Sequence, residues 1–155
     1  MTTIGFWVSY AAIPVDFVDS LQLTYGQNGL SLAVHQVSFC AAFFMWGRAL
    51  DKYGAPTIMS ASWMLCGIGL ACMFLGQSYP SALLGQALLG LGLAGNDISW
   101  YVVVLEFSPE DRIDRYMGLY MMFFGARALV AGVVVGTLME SNAQGSWIAL
   151  GAASL

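Results

Sequence analysis

The stretch MWGRALDKYGAP, Met45 to Pro56, concentrates charge in a chain that has very little of it. Arg48, Asp51 and Lys52 fall within five positions, although only 9% of the 155 residues are charged. Almost purely apolar runs lie on both sides, and a glycine stands at each end of the charged group. This pattern predicts a water-exposed turn between two helices that are embedded in a membrane.

Composition indicates the solvent in which the chain folds. The residues are 59% hydrophobic and 14% aromatic, and the mean hydropathy is +0.73. A soluble domain is about 25% charged and under half apolar, and it could not bury this much apolar surface. We therefore expect the lipid bilayer to surround the chain. The net charge of −4 comes from few groups and gives no reason to expect a nucleic-acid partner.

Six apolar segments predict an all-α integral membrane protein with six helices, since about 20 mostly apolar residues cross the hydrocarbon core. Short connections with turn-forming residues separate the segments. The last segment is long enough for only half a crossing, so the chain is expected to be a fragment. The single domain, 1–155, has predicted helices at about 3–23, 29–46, 57–76, 81–106, 116–139 and 146–155.

The basic residues predict the orientation of these helices. Arg48, Lys52, Arg112 and Arg115 lie in the connections after the second and fourth predicted helices, and the other three connections hold no lysine or arginine. Short connections rich in basic residues remain on the cytoplasmic side. The N-terminus of this segment is therefore expected to be cytoplasmic, in a multi-pass protein of a bacterial inner membrane.

The eight residues from Gly47 to Gly54, GRALDKYG, resemble the G-x-x-x-D-[RK]-x-G signature of the major facilitator superfamily. In that family the signature joins helices two and three and recurs in weaker form between helices eight and nine. The likeness implies one six-helix half of a secondary transporter, with a small-molecule substrate and alternating access. A proton or another coupling ion and a missing second half are implied as partners. Ala55 and Pro56 depart from the signature, because further basic residues are usual there.

Other residues point to the C-terminal half of that fold. Gln86 stands where an arginine is usual in helix four of the N-terminal half, and the fifth predicted helix lacks the usual glycine-proline pair. The stretch WYVVVLEFSPEDRIDRYMGLYMMFFGARALVAG resembles the region from helix ten to helix eleven of some bacterial members. The six predicted helices would then be helices seven to twelve.

Charged side chains within the apolar segments are the best candidates for a functional site, because such charges usually face a partner or a wet cavity. Asp97 lies roughly 15 Å and Arg127 roughly 18 Å from the cytoplasmic ends of the fourth and fifth predicted helices, at 1.5 Å per residue. Counted from Gly47, His35 is expected at a similar depth. Asp97 and Arg127 could meet near the midplane, because their helices are consecutive and antiparallel.

We expect these residues to line a central substrate cavity, and the resemblance places their helices around one. Tyr116, Tyr120, Phe123 and Arg127 recur at helical spacing and predict a stripe on the fifth helix. A structural ion pair between two helices is the alternative for Asp97 and Arg127, and a core histidine is the alternative for His35. The candidates for substrate or coupling-ion contact are Asp97, Arg127, Asn96, His35 and Tyr120.

The charges of the opening stretch have a second predicted role. Glu106 lies near the cytoplasmic end of its helix, where Arg48 or Arg112 could pair with it. Such a network would hold one access state and open in the other, and the alternative is an ordinary solvated loop. The cytoplasmic gate motif is predicted to consist of Gly47, Arg48, Asp51, Lys52, Gly54, Glu106 and Arg112.

The sequence offers no catalytic set and no cofactor site. It has no GxxxxGK[ST] phosphate-binding loop, and its one histidine makes a metalloenzyme improbable. The three cysteines stand inside apolar runs without metal-ligand spacing. Besides transport, two alternatives remain. One is a small helical membrane protein that dimerises or acts as an assembly subunit without transport of its own. The other is an intramembrane enzyme that uses Asp97, although this single mid-span acid has no visible catalytic partner.

Overall fold

A computed structural model gives an all-helical architecture, and it describes Tyr10, Ile13 and residues 22–76 and 78–140. The elements are α1 (Tyr25–Tyr53), α2 (Ala55–Gly76), α3 (Tyr79–Phe107), a 3₁₀ turn (Glu110–Arg112) and α4 (Ile113–Glu140). All four α-helices are long and apolar enough to cross a membrane. They correspond to the second to fifth predicted helices. The first and sixth predicted helices fall almost wholly outside the described residues.

Side-chain caps extend two of these helices beyond their apolar segments. Thr24 caps α1: its hydroxyl accepts from the backbone N–H of Gln27, while its own N–H donates to the Gln27 side chain. Ser78 and Ser81 form the same reciprocal arrangement at the start of α3. Each pair satisfies backbone donors that a helix end leaves open. The helices therefore begin four and two residues before the predicted positions, because apolar content marks only the membrane-embedded part.

The charged stretch GRALDKYG is mostly helical, which corrects the expectation of a turn spanning it. α1 continues through Tyr53, and α2 begins at Ala55. Gly54 alone reverses the chain, with φ +78° and its N–H donating to the Leu50 carbonyl at 2.9 Å. Arg48, Asp51 and Lys52 therefore project from the last two turns of α1, where all three are exposed.

α3 is the central helix of the described part of the chain, and α1 and α2 both pack against it along much of its length. Glycines make this approach possible. A Cβ at Gly90 would lie 2.4 Å from the His35 carbonyl oxygen of α1, and one at Gly92 would lie 2.8 Å from the Ser62 carbonyl oxygen of α2. The α3 glycines therefore serve close helix packing, as small residues do between membrane helices.

α4 contacts α3 over a much shorter stretch, and most of its described side chains are exposed. Gly125 and Gly132 have open space where a Cβ would stand. Among the described residues, no neighbouring helix therefore packs closely against α4 at these two glycines. Asp97, Tyr120 and Arg127 lie near the short contact between α3 and α4.

Candidate functional site

Asp97 lies in the middle of α3, ten residues or roughly 15 Å before the end of the helix at Phe107. Its side chain is half-buried, and the neighbouring Asn96 is buried. The Asn96 Oδ1 atom has no hydrogen-bond partner in the described structure. A buried acceptor without a partner is uncommon in a folded protein and indicates a water or ligand site.

Four aromatic side chains surround the junction of α3 and α4. The ring of Tyr120 stacks on Trp100 at a centroid distance of 6.2 Å and meets Tyr101 edge-on at 5.9 Å. On its own helix, Tyr120 contacts Phe124 at 6.3 Å. Aromatic pairs at these distances contribute roughly 0.5–1.5 kcal/mol each beyond the burial of their area. The aromatic group therefore holds α4 against α3 where the two helices have few other contacts.

Arg127 extends from this aromatic group toward Asp97. Its guanidinium carbon lies 5.5 Å from the centroid of the Phe124 ring, within the range of a cation–π contact. The charges of Asp97 and Arg127 act on one another, and Tyr120 is close enough to interact with both. The structure thus brings together Asp97, Tyr120 and Arg127.

The structure places His35 apart from Asp97, although the sequence predicts a similar depth for the two residues. It is buried between α1 and α3, near Gln86 and Gly90, and its Nε2 is 3.4 Å from the Tyr10 hydroxyl. Gly90 precedes Asp97 by seven residues, or roughly 10 Å along α3. The predicted depth of His35 takes Gly47 as the end of the helix. Because α1 continues six residues further, to Tyr53, His35 lies farther from the end of the helix than predicted.

A cleft of about 320 Å³ opens between α3 and α4 beside the aromatic group. Tyr116, Tyr120 and Phe123 line it from α4, which confirms that they share one face of the helix. Val103, Val104 and Phe107 are among the residues that line it from α3. Tyr120 belongs both to this cleft and to the polar group around Asp97, so it connects the two.

Sequence reasoning missed three aromatic members of this site. Trp100 and Tyr101 follow Asp97 by about one helical turn, and Phe124 follows Tyr120 by four residues. The i, i+4 spacing of Tyr120 and Phe124 is a detectable signal. The partners of Trp100 and Tyr101 depend on the packing of α4, which periodicity within one helix does not reveal.

The residues of the predicted gate motif lie at one end of the bundle, at the end of α1, the end of α3 and the turn before α4. Gly47 has room for a Cβ, since the nearest atom would be Ile98 Cδ1 at 4.0 Å. Arg48 donates to the Phe44 carbonyl at 3.5 Å, and Lys52 lies 5.0 Å from the centroid of the Tyr53 ring. Arg112 pairs with its neighbour Asp111 at 3.2 Å, and Glu106 is exposed.

Within the described ranges, no three histidine, cysteine or acidic side chains are grouped so that they could hold a metal ion. The titratable groups near Asp97 are instead an arginine and tyrosines, and these residue types bind organic solutes by charge, hydrogen bonds and ring contacts. The site therefore combines a negative charge, a positive charge and aromatic faces near the middle of α3.

Comparison with known proteins gives relatives among membrane transport proteins. The chain is 30% identical over 148 residues to the multidrug resistance protein MdtH of Aeromonas hydrophila, an alignment that covers 96% of this chain and 35% of that protein. It is 23% identical over 129 residues to the minor myo-inositol transporter IolF of Bacillus subtilis, covering 82% and 27%.

The chain thus spans about a third of the length of these relatives. No solved structure matches it significantly. The family model described as Major Facilitator Superfamily matches residues 1–155, the whole of the chain. Together with the four apolar helices, this match shows that the chain belongs to the Major Facilitator Superfamily of integral membrane proteins.

Proposed function

We propose that the chain is part of a secondary transporter that moves a small organic solute across the membrane by alternating access. The observation that carries this proposal is the group of Asp97, Tyr120 and Arg127 at the loose junction of α3 and α4. Family membership over the whole chain favours transport over an assembly subunit without transport activity. In this family, rocking of two six-helix halves about a midplane site would expose the group to each side in turn.

The energetic cost of these charges supports a functional role. A charged side chain at the bilayer centre costs at least ~2.5–3.5 kcal/mol on insertion scales. The charges of Asp97 and Arg127 act on one another at a junction that also holds an aromatic cleft. Asn96, with its unpartnered buried Oδ1, is proposed to contact the solute or a coupling ion.

The shape and lining of the junction favour a solute with an apolar ring surface. A polyol needs a hydrogen-bond partner for most of its hydroxyls, because each buried unpartnered group costs about 1–3 kcal/mol. The cleft beside Tyr120 offers mainly aromatic and aliphatic side chains. By this reasoning the substrate is a drug, as in the name of the multidrug resistance protein MdtH, rather than a polyol such as the inositol in the name of IolF.

The exposed charges at the ends of α1 and α3 are proposed to form a cytoplasmic gate with the missing half of the transporter. Arg48, Lys52, Arg112 and Arg115 lie at the same end of the bundle, because consecutive helices are antiparallel. Asp51 and Glu106 are exposed at that end and make no ion pair within the described part of the chain, so both are available to a second half. His35, packed near Tyr10 and Gln86, is proposed as a site for the coupling proton rather than for the solute.

The proposal is tested by transport into proteoliposomes that contain the full transporter, with ethidium and radiolabelled myo-inositol as probes. We expect Asp97→Asn and Arg127→Gln each to lower transport of ethidium by at least about tenfold, the effect of losing one charge-assisted contact. Ser99→Ala is the matched control on α3, since the Ser99 hydroxyl is buried and bonds to the Gly95 carbonyl of its own helix.

Thermal stability in detergent separates the two roles of the charges. A functional pair predicts that Asp97→Asn and Arg127→Gln lower transport while the melting temperature stays near that of Ser99→Ala. If both variants instead melt earlier and transport falls only with the amount of folded protein, the pair is structural. Unchanged transport in both variants would overturn the site, and transport of myo-inositol in preference to ethidium would overturn the substrate class.

A further inference from the structure

A second buried polar group lies between α1 and α3, apart from the junction of α3 with α4. His35 of α1 is 4% exposed and Gln86 of α3 is 2% exposed. Gly90 follows Gln86 by four residues and shares its face of α3, and a Cβ at Gly90 would lie 2.4 Å from the His35 carbonyl oxygen. The two helices come so close at this level that Gln86 interacts with the His35 ring.

Two buried polar atoms of this group have no hydrogen-bond partner in the described part of the chain. They are Nδ1 of His35 and Oε1 of Gln86. The other ring nitrogen of His35, Nε2, lies 3.4 Å from the Tyr10 hydroxyl. Buried polar atoms of folded proteins are almost always hydrogen-bonded, either to protein or to an ordered water. Two such atoms on facing helices, both on side chains more than nine-tenths buried, therefore indicate a small polar ligand between them.

A direct bond from the His35 ring to the Gln86 oxygen would serve only one tautomer of the ring. When the Tyr10 hydroxyl donates to Nε2, Nδ1 carries the proton and can donate to Oε1. When Nε2 carries the proton, Nδ1 is an acceptor, and two acceptors do not bond to one another. A water molecule serves both tautomers, because it donates to Oε1 and either accepts from Nδ1 or donates to it.

The polar face of α1 continues from His35 to the start of the helix. Ser31 and Asn28 precede His35 by four and seven residues, which is the spacing of one helix face. Ser31 is fully buried, and its hydroxyl donates to the Asn28 carbonyl at 2.7 Å. The Asn28 Oδ1 atom is a further buried acceptor without a partner in the described structure. Polar atoms thus extend from the end of the bundle to His35 and give a water molecule a route of entry.

We propose that this group binds one internal water molecule, which bridges Nδ1 of His35 to Oε1 of Gln86. The water joins α1 to α3 by hydrogen bonds at a depth where lipid offers none. Water is favoured over a metal ion, because the described residues include no group of three histidine, cysteine or acidic side chains that could hold one. The proposal follows from the hydrogen bonds and holds whether or not His35 takes up the coupling proton.

X-ray radiolysis of the full transporter in isotopically labelled water tests the site, because hydroxyl radicals formed from a bound water oxidise the side chains next to it. Mass spectrometry of the peptides then measures the oxygen label on each residue. We expect His35 to be labelled although it is buried. Met73 is the matched control: it is also 4% exposed, it lies in an apolar core cluster, and methionine is the more reactive side chain toward these radicals. Tyr25, which is 90% exposed at the start of α1, is the exposed reference.

Gln86→Leu keeps a side chain of similar size but removes the acceptor, so the label on His35 should fall to the level of Met73. Ser99→Ala, on the same helix, should leave the label on His35 unchanged, since the Ser99 hydroxyl bonds to the Gly95 carbonyl of its own helix. A label on His35 that Gln86→Leu does not lower would overturn the bridge.

The comparison of His35 with Met73 in the unaltered transporter decides the matter even if Gln86→Leu does not fold. A label on His35 no greater than that on Met73 would show a dry contact and overturn the site. Because the experiment measures labelling and not transport, either result leaves the proposed solute site to its own test.

Discussion

Gly47 and Gly54 bracket the charged stretch, yet at the residue scale only one of them needs to be glycine. Gly54 has φ +78° and ψ 160°, a backbone conformation that is almost restricted to glycine. Gly47 lies inside α1 with open space beside it. The chain reversal therefore requires glycine at Gly54. At Gly47, the described structure gives no reason why the residue must be glycine.

Gly54→Ala should lower the free energy of unfolding by about 1–3 kcal/mol, because a side chain strains that backbone conformation. Gly47→Ala is the matched comparison and should be neutral or slightly stabilising, since alanine favours a helix interior by up to about 1 kcal/mol over glycine. Melting temperatures of both variants in detergent measure the difference. Equal melting of the two would contradict the role of Gly54.

Trp46 connects α1 to α3 through a single polar atom. Its indole N–H donates to the Leu91 carbonyl at 2.7 Å, and Gly95 leaves the space in which the ring lies. Trp46→Phe keeps an aromatic ring but removes the donor, so we expect a loss of about 0.5–1.5 kcal/mol. Trp46→Leu should cost more, because it also removes the ring. The ranking by melting temperature checks this, and a Trp46→Phe variant as stable as the wild type would show that the hydrogen bond contributes nothing.

At the element scale, the helices differ in how closely they approach α3. α1 and α2 pack against glycines of α3, so their backbones come close to its backbone. α4 contacts α3 mainly through aromatic rings at centroid distances near 6 Å. Backbone-to-backbone packing is rigid, because interiors tolerate little change in volume. Asp97, Tyr120 and Arg127 lie at the looser contact, in keeping with the proposal that this part of the molecule changes during transport.

Gly90→Ala should loosen the contact between α1 and α3, because its Cβ would stand 2.4 Å from the His35 carbonyl oxygen. Overpacking of this kind costs typically about 1–3 kcal/mol. Gly29→Ala is the control, since nothing lies within 4 Å of a Cβ at that position of α1. Thermal unfolding in detergent should separate the two variants. If Gly90→Ala melts no earlier than Gly29→Ala, the two helices do not pack in the way described.

At the scale of the whole molecule, the distribution of basic residues predicts which end of the bundle faces the cytoplasm. The connection between α1 and α2 and the one between α3 and α4 share an end that holds Arg48, Lys52, Arg112 and Arg115. The residues between α2 and α3 include no lysine or arginine. Basic connections remain cytoplasmic, so the two ends should differ in their access from outside the cell.

A membrane-impermeant thiol reagent tests this orientation after Cys40, Cys66 and Cys72 are replaced by alanine. Ser78→Cys, between α2 and α3, should react in intact cells. Glu110→Cys, between α3 and α4, should react only after the membrane is permeabilised. Both positions are exposed, so a lack of reaction reflects the membrane rather than burial. The reverse labelling pattern would show that the basic end faces outward.

The sequence by itself determined the surroundings of the chain, its helical class and its family. Apolar runs of about 20 residues and charges within them such as Asp97 and Arg127 are visible in the sequence, because each depends on residues close in the chain. The resemblance carried by the residues from Gly47 to Gly54 identified the superfamily, which the family match confirms.

Only the tertiary structure decided which candidates meet. His35 and Asp97 have similar calculated depths, yet they lie apart because α1 continues to Tyr53 and shifts the depth count. Trp100 and Tyr101 belong to the site because α4 carries Tyr120 against them. The relative register of two helices depends on contacts between residues far apart in the chain. Hydropathy and helix propensity describe each helix alone, so neither could supply that register.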